Sequence, residues 1–210
     1  MITVIDYGRG NLFSLAQALT HIGAAHRITS DPQILQASER IIFPGVGAFG
    51  DAAAGLRSRS LEAPLLDAAL RGVPILGICV GCQLLLEQGE EFGRHKGLGL
   101  LRGTVRRLPE PANGDLAAIR IPNVGWRRLD TRPGDPLLSP LHGKMVYFVH
   151  SFAPMVEDPA DAVAHITVNG QHTPVAVRRG AVAGVQFHPE KSATVGLALL
   201  KRFAEWSPES

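Results

Sequence analysis

Cysteine is scarce in this chain: its 210 residues include two, Cys79 and Cys82. They lie too close together to form a useful structural staple, and no third cysteine can pair with either. The fold therefore does not rest on disulfides, and a reducing compartment is expected. Long apolar runs are also missing. None approaches the roughly 20 residues that a bilayer-spanning helix requires. Met1 leads directly into Ile2-Thr-Val-Ile5, with neither a basic leader nor a small-residue cleavage site, so a cytoplasmic protein without a secretory signal is expected. Nor is there an excess of charge of one sign. With 21 Lys and Arg against 19 Asp and Glu, the formal charge of +2 argues against a nucleic-acid binder. The stretches Arg102 to Arg107 and Arg120 to Arg132 are locally basic. Each reads as a solvated face or, alternatively, as a partner-facing or phosphate-attracting patch.

What is present suits a globular domain. Hydrophobic residues make up 45% and charged residues 19%, which excludes general disorder. The length fits one large domain over residues 1–210 better than two; a split near Gly97 is the alternative, although nothing there resembles a tether. The first half alternates strand and helix signals. Ile2–Tyr7, Arg40–Phe43 and Val73–Ile78 are short apolar runs. A helical stripe follows Asn11 as far as Gly23, Asp51–Leu70 reads as a helix broken or kinked at Pro64, and Cys82–Glu90 reads as helix. In the second half Leu98–Leu108, Ala117–Leu129, Lys144–Ala153, Ala162–Val168, Thr173–Arg179 and Ala181–Phe187 are strand-like, before an amphipathic helix at Ala193–Glu205. The expected fold is α/β: a mixed, mainly parallel central sheet flanked by helices, with an antiparallel-rich second half.

The strongest chemical signal is Gly77-Ile-Cys-Val-Gly81, where a buried strand meets a helix start. A nucleophile flanked at this spacing by glycines marks a strand-to-helix elbow, because the missing Cβ atoms let the chain reverse and hold one side chain on a strained turn. A sulfur at a helix N-terminus is favoured as thiolate, and the N–H of Val80 points to where an oxyanion would form. Two rival readings exist. Cys79 could be a small buried hydrophobe. Alternatively, Cys79-Val-Gly-Cys82 could be a redox C-x-x-C, but the Trp and Pro typical of thioredoxin-like motifs are absent, and Cys82 reads as well as a core filler.

A thiolate nucleophile requires a base that later serves as an acid. His188 stands at a strand end in Gln186-Phe-His-Pro-Glu190, with Glu190 able to fix its tautomer and support its charge, which gives a triad in chain order Cys79, His188, Glu190. His150, in Tyr147-Phe-Val-His-Ser151, ranks second because no carboxylate follows it. The cysteines and a distant histidine offer no fourth ligand at zinc spacing, so neither metal nor cofactor is expected.

These motifs, together with Gln83-Leu-Leu85, resemble the class I (triad) glutamine amidotransferases. Within them, Asp6-Tyr-Gly-Arg-Gly-Asn11, Pro44-Gly-Val-Gly47, Gly125-Trp126, Tyr147–Ser151 and Gln186–Ser192 resemble the branch of glutaminase subunits that serve imidazole glycerol phosphate synthase in histidine biosynthesis. The resemblance implies that Cys79 attacks the glutamine side-chain amide and that His188 protonates the departing ammonia, then activates water. It implies an oxyanion hole from Val80 and the Gly45–Val46 loop, and glutamine contacts at Gly47, Gln83, Glu91, Ser151 and Phe152. The implied partner is a (βα)8-barrel cyclase subunit, met near Asn11, Trp126, Tyr147 and Lys191. Each of these four also has a purely structural reading. The chain departs from the family pattern in having Cys82 for a usual Met, Arg127 for a usual Asn, Phe152 for a usual Tyr and Val80 for a usual Leu.

Overall fold

The apolar runs of the first half become neighbouring parallel strands in the computed structural model, which describes residues 1–112 and 118–208. In chain order these are β1 (Ile2–Ile5), α1 (Leu12–His21), β2 (His26–Thr29), α2 (Pro32–Gln36), β3 (Ile41–Gly45), α3 (Phe49–Ser58), α4 (Glu62–Leu70), β4 (Ile75–Cys79) and α5 (Val80–Leu84). The second half contains β5 (Leu86–Gly89), β6 (His95–Lys96), β7 (Leu101–Arg107), β8 (Asn123–Arg128), β9 (Asp130–Thr131), β10 (Met145–His150) and β11 (Phe152–Val156). It closes with β12 (Ala162–Val168), β13 (Gln171–Arg179), β14 (Val182–Val185) and α6 (Ala193–Glu205). The expected strand Ala117–Leu129 begins at Ala117, outside the described residues.

Eight strands form the central sheet in the order β2-β1-β3-β4-β14-β13-β12-β9. From β2 to β14 the pairings are parallel, and from β14 to β9 antiparallel, which is the mixed sheet expected from the sequence. β1, β3, β4 and β14 are buried at every position, as strands covered on both faces must be. A second sheet, β11-β7-β5-β6, and a two-stranded ribbon, β10-β8, complete the fold.

The order of strands matters more than their number. β4 lies between β3 and β14, all three parallel, with Gly45 opposite Cys79 and Val185 opposite Ile78. The carboxyl ends of three strands therefore open onto one place, where α/β sheets characteristically hold their ligands.

Three expectations need correcting. The helix over Asp51–Leu70 is broken at Arg59–Leu61, where Ser60 takes φ 56, and not at Pro64. Pro64 sits in the first turn of α4, where a backbone N–H would have no helical acceptor in any case. The helix over Cys82–Glu90 stops at Leu84 because strand-like pairing takes its carbonyls. Leu84 O accepts from Leu98 N at 2.8 Å and Leu85 O from Leu100 N at 2.9 Å, and the chain continues as β5 beside β7. The run Lys144–Ala153 is two strands in different sheets, parted at Ser151, where His150 Nδ1 bonds the Phe152 carbonyl at 2.8 Å and draws the bend together. Near Gly97 the backbone is packed: its N–H donates to the Glu87 carbonyl at 2.8 Å, and an added Cβ would meet the Leu86 carbonyl.

Candidate active site

Cys79 ends β4 with φ 55 and ψ −112, a backbone that an L-residue adopts only under strain of about 1–3 kcal/mol. Its glycine neighbours show why the turn is possible. A Cβ on Gly77 would lie 2.7 Å from the Gly81 carbonyl, and one on Gly81 would run into the Phe43 carbonyl. Gly45, across the strand pair, is equally confined: its Cβ would stand 2.5 Å from the Tyr7 hydroxyl and 2.6 Å from the Gly81 nitrogen. α5 is only five residues long, so it offers its first N–H groups rather than the dipole of a long helix.

His188 emerges from the end of β14, next to β4. Its backbone N–H donates to the Tyr147 carbonyl at 3.0 Å, and its own carbonyl accepts from Ser192 Oγ at 2.7 Å. Ser192 Oγ in turn accepts from Tyr147 N at 2.9 Å, so β10 pins the whole turn. The ring Nδ1 lies 2.9 Å from Glu190 Oε1, and both side chains are buried. Burial of the ring works against its charged form. Hydrogen bonding to Cys79 and to Glu190, and the negative charge of both, outweigh this and raise its pKa to about 10. The second carboxylate oxygen, Glu190 Oε2, is buried without a partner, as is the Tyr7 hydroxyl. Burial, followed by the charge of Cys79, holds the Tyr7 phenol well above its usual range.

A cleft of about 310 Å3 opens over the sulfur. Cys79 and His188 both face it, together with Val80, Val46 and Gly47. Gln83, Glu91, Ser151 and Phe152 line its other walls, so every residue assigned to glutamine by resemblance borders one cavity. Glu91 Oε2 accepts from Phe49 N at 2.8 Å, at the start of α3. Lys191 stands at the rim. Glu190, Gly45 and Asn11 lie behind, around a separate small crevice, and Asn11 caps α1 through a hydrogen bond from Ser14 N at 3.4 Å. Trp126 and Tyr147 do not reach the cleft. They are cross-strand partners on the β8–β10 ribbon, with ring centroids 5.9 Å apart.

His150 also borders the cleft, yet it is held as a neutral ring. Burial pulls its pKa down to about 4, against the opposing hydrogen bond to the Phe152 carbonyl. Its Nε2 accepts from Asn123 Nδ2 at 2.9 Å, and Asn123 Oδ1 accepts from Arg127 Nε at 2.9 Å. Arg127, a departure from the family pattern, therefore anchors a buried amide rather than lying loose on the surface. Asn123, Tyr7 and the amide of Gln186 were not singled out from the sequence. A buried polar residue in an apolar run was the available signal for Asn123 and Gln186, but no sequence pattern tells which way their side chains face.

Cys82 does not share this environment. It is free and fully buried, with its sulfur 2.6 Å from where a Cβ on Gly184 would stand. Burial raises its thiol far above the ordinary range, followed in effect by the charge of Cys79. A resolving cysteine needs an accessible thiolate, so the geometry disfavours the redox reading. Among the described residues no cluster of three or more His, Cys, Asp or Glu could hold a metal ion, and no helix is long and apolar enough to cross a membrane.

Residues 3–205 match the family model described as Glutamine amidotransferase class-I. Imidazole glycerol phosphate synthase subunit HisH of Salinibacter ruber is 47% identical over 205 residues, covering 97% of this chain and 94% of the relative. The protein of the same name from Methylococcus capsulatus is 46% identical, covering 100% and 98%. Among solved structures, PurLQS from Thermotoga maritima superposes with a TM-score of 0.71 at 22% identity, over 97% of each chain. A glutamine amidotransferase crystal structure superposes with a TM-score of 0.69 at 20% identity, over 98% of each chain. At that identity the structural likeness bears on the fold alone.

Proposed function

This chain belongs to the class-I glutamine amidotransferases, and from that premise we propose that it hydrolyses glutamine to glutamate and ammonia as a subunit of an imidazole glycerol phosphate synthase. The whole chain, residues 1–210, acts as one amidotransferase domain. The observation that carries the reading is the strained Cys79 elbow facing one cleft together with His188, whose imidazolium is supported by buried Glu190.

The Cys79 thiolate attacks the side-chain amide carbon of glutamine, forming a C–S bond. The N–H of Val80 and the Gly45–Val46 loop hold the resulting oxyanion. As the C–N bond breaks, the His188 imidazolium gives its proton to the leaving nitrogen, and ammonia departs. The neutral ring then takes a proton from water, whose oxygen attacks the thioester. Glutamate leaves, and sulfur and imidazole return to their starting charges. Glu190 orients the ring and supports its charge throughout. Gly47, Gln83, Glu91, Ser151 and Phe152 hold the α-amino and α-carboxylate groups of the substrate, with the Glu91 carboxylate suited to the ammonium.

Relatives named as a synthase subunit support the existence of a partner subunit, which we take to be a (βα)8-barrel cyclase that receives the ammonia. An apolar outer face supports its place of docking. On paired strands β8 and β10, Val124, Trp126, Met145 and Val149 are 51%, 44%, 41% and 40% exposed, a concentration unusual for a surface that stays in water. Trp126 and Tyr147 lie on this face, with Lys191 at the cleft rim and Asn11 behind it. The complex works in the cytoplasm.

Cys79→Ala in the reconstituted complex tests the reading. Turnover with glutamine should vanish, while turnover with added ammonia should persist. Glutamine-dependent turnover that survives would overturn it.

A further inference from the structure

Gln186 is fully buried two residues before His188, and the chemistry just described leaves it unused. Its side chain does not merely fill space. Nε2 lies 3.7 Å from Cys79 Sγ, and Oε1 accepts from Gln83 Nε2 at 3.0 Å.

The direction of this amide follows from the hydrogen-bonding capacity of its neighbours. The Phe152 carbonyl can only accept. Gln83 approaches it at 3.3 Å, so the Gln83 atom there must be the NH2 group. That same nitrogen meets Gln186, which therefore presents its oxygen to Gln83 and turns its own N–H toward the sulfur. His150 Nδ1 donates to the same Phe152 carbonyl at 2.8 Å and helps to keep it in place. The row Phe152 carbonyl, Gln83, Gln186, Cys79 thus has one polarity, set at a backbone atom that cannot reverse.

The geometry points to Gln186 as the second hydrogen-bond donor to the nucleophilic sulfur, stabilising the thiolate from within the core and coupling it to the Gln83–Phe152 wall of the glutamine site. This rests on the reading of Cys79 as nucleophile. Chemically the arrangement is apt. A neutral donor stabilises a thiolate without adding a charge that must later be neutralised, and its hold weakens once the sulfur becomes part of an uncharged thioester. The other titratable groups around Cys79 are His188 with Glu190 beyond β14, Tyr7 beyond β1 and Cys82 on α5, with Glu91, His150 and Lys191 on the walls of the shared cleft.

The test reads the thiol directly, in the full chain and without glutamine turnover. In a Cys82→Ser background, the rate of Cys79 alkylation by iodoacetamide is followed against pH for the parent, Gln186→Met and Gln186→Asn, with thermal melts to establish folding. Both variants remove the donor from its present position, so the profile should move to higher pH and the rate at neutral pH fall about three- to tenfold, as expected on losing one donor to a charged acceptor. An unchanged profile in a folded variant would overturn the assignment, whatever the glutaminase activity. A measurement without substitution at Gln186 stands beside it. The side-chain amide resonances of Gln186 should titrate together with the thiol, and cease to do so in Cys79→Ala. Amide signals that ignore the thiol would sink the proposal equally, whereas loss of turnover in Cys79→Ala tests only the wider reading of the site.

Discussion

Glu190 Oε1 stands 2.9 Å from His188 Nδ1, and the two side chains are 3% and 6% exposed. A carboxylate so placed fixes the imidazole tautomer that leaves Nε2 free for the sulfur side. It also favours the imidazolium that must give a proton to ammonia. Glu190→Gln keeps the shape and removes the charge. Glutamine turnover in the complex should fall about a hundredfold or more, while ammonia-dependent turnover should hold. Stability should respond with a definite sign. The folded pKa of His188 is raised from its ordinary 6.5 to about 10 by its bond to Cys79 and then by that to Glu190, so these contacts together stabilise the fold fully below about pH 6.5 and less as pH rises through 10. Urea unfolding at several pH values should find the deficit of Glu190→Gln largest at the acid end of that window.

The elbow makes an unusual prediction at its own tip. In ordinary backbone, glycine is less stabilising than alanine. At φ 55 and ψ −112 the order should reverse, with Cys79→Gly more stable than Cys79→Ala by about 1 kcal/mol, because only the former releases the strain of the turn. Equilibrium unfolding of the two variants decides; an alanine variant equal to or better than glycine would mean the turn is relaxed.

Cys82 should be dispensable to the chemistry and not to the core. Its sulfur is buried against Gly184, so Cys82→Ser places a hydroxyl in an apolar contact and should cost about 1–3 kcal/mol of stability. Glutaminase activity per folded molecule should stay within a few-fold of the parent. Loss of activity out of proportion to loss of fold would return the pair of cysteines to redox chemistry.

The outer face of the β8–β10 ribbon should carry affinity. Trp126 is 44% exposed and packs edge-on to Tyr147 across the strands. Trp126→Ala should leave the melting temperature nearly unchanged and weaken binding of the partner subunit about tenfold or more, read by calorimetric titration. Unaltered affinity would move the docking surface elsewhere.

The candidate site was legible to the extent that its residues lie close together in the chain. Gly77-Ile-Cys-Val-Gly81 marks an elbow because steric demands within five residues force small neighbours, and Pro189 with Glu190 flanks His188 within the same turn. Local propensity failed where distant chain competes for backbone groups. Leu86 to Gly89 read as helix, yet they form β5, because the Leu84 and Leu85 carbonyls before them accept from Leu98 and Leu100. The run from Lys144 reads as one strand, yet it changes sheets at Ser151, so that Ser151 and Phe152 reach the cleft. The edge strand β2 and the short α2 also escaped notice, being too brief and too polar for periodicity to mark.

Burial of the apolar segments, the places where the chain can turn sharply, and the residue types suited to nucleophile and base were legible from the amino acids alone, since each depends on residues within a turn or two. Long-range pairing put β14 on one flank of β4 and β3 on the other, bringing residues 45, 79 and 188 together at the carboxyl ends of central strands from far apart in the chain. The same kind of distant contact sets which way the amide of Gln186 points. Strand order and amide polarity arise from long-range pairing, in which each group satisfies a donor or acceptor that no neighbouring residue supplies, and such pairings leave no periodic trace along the chain.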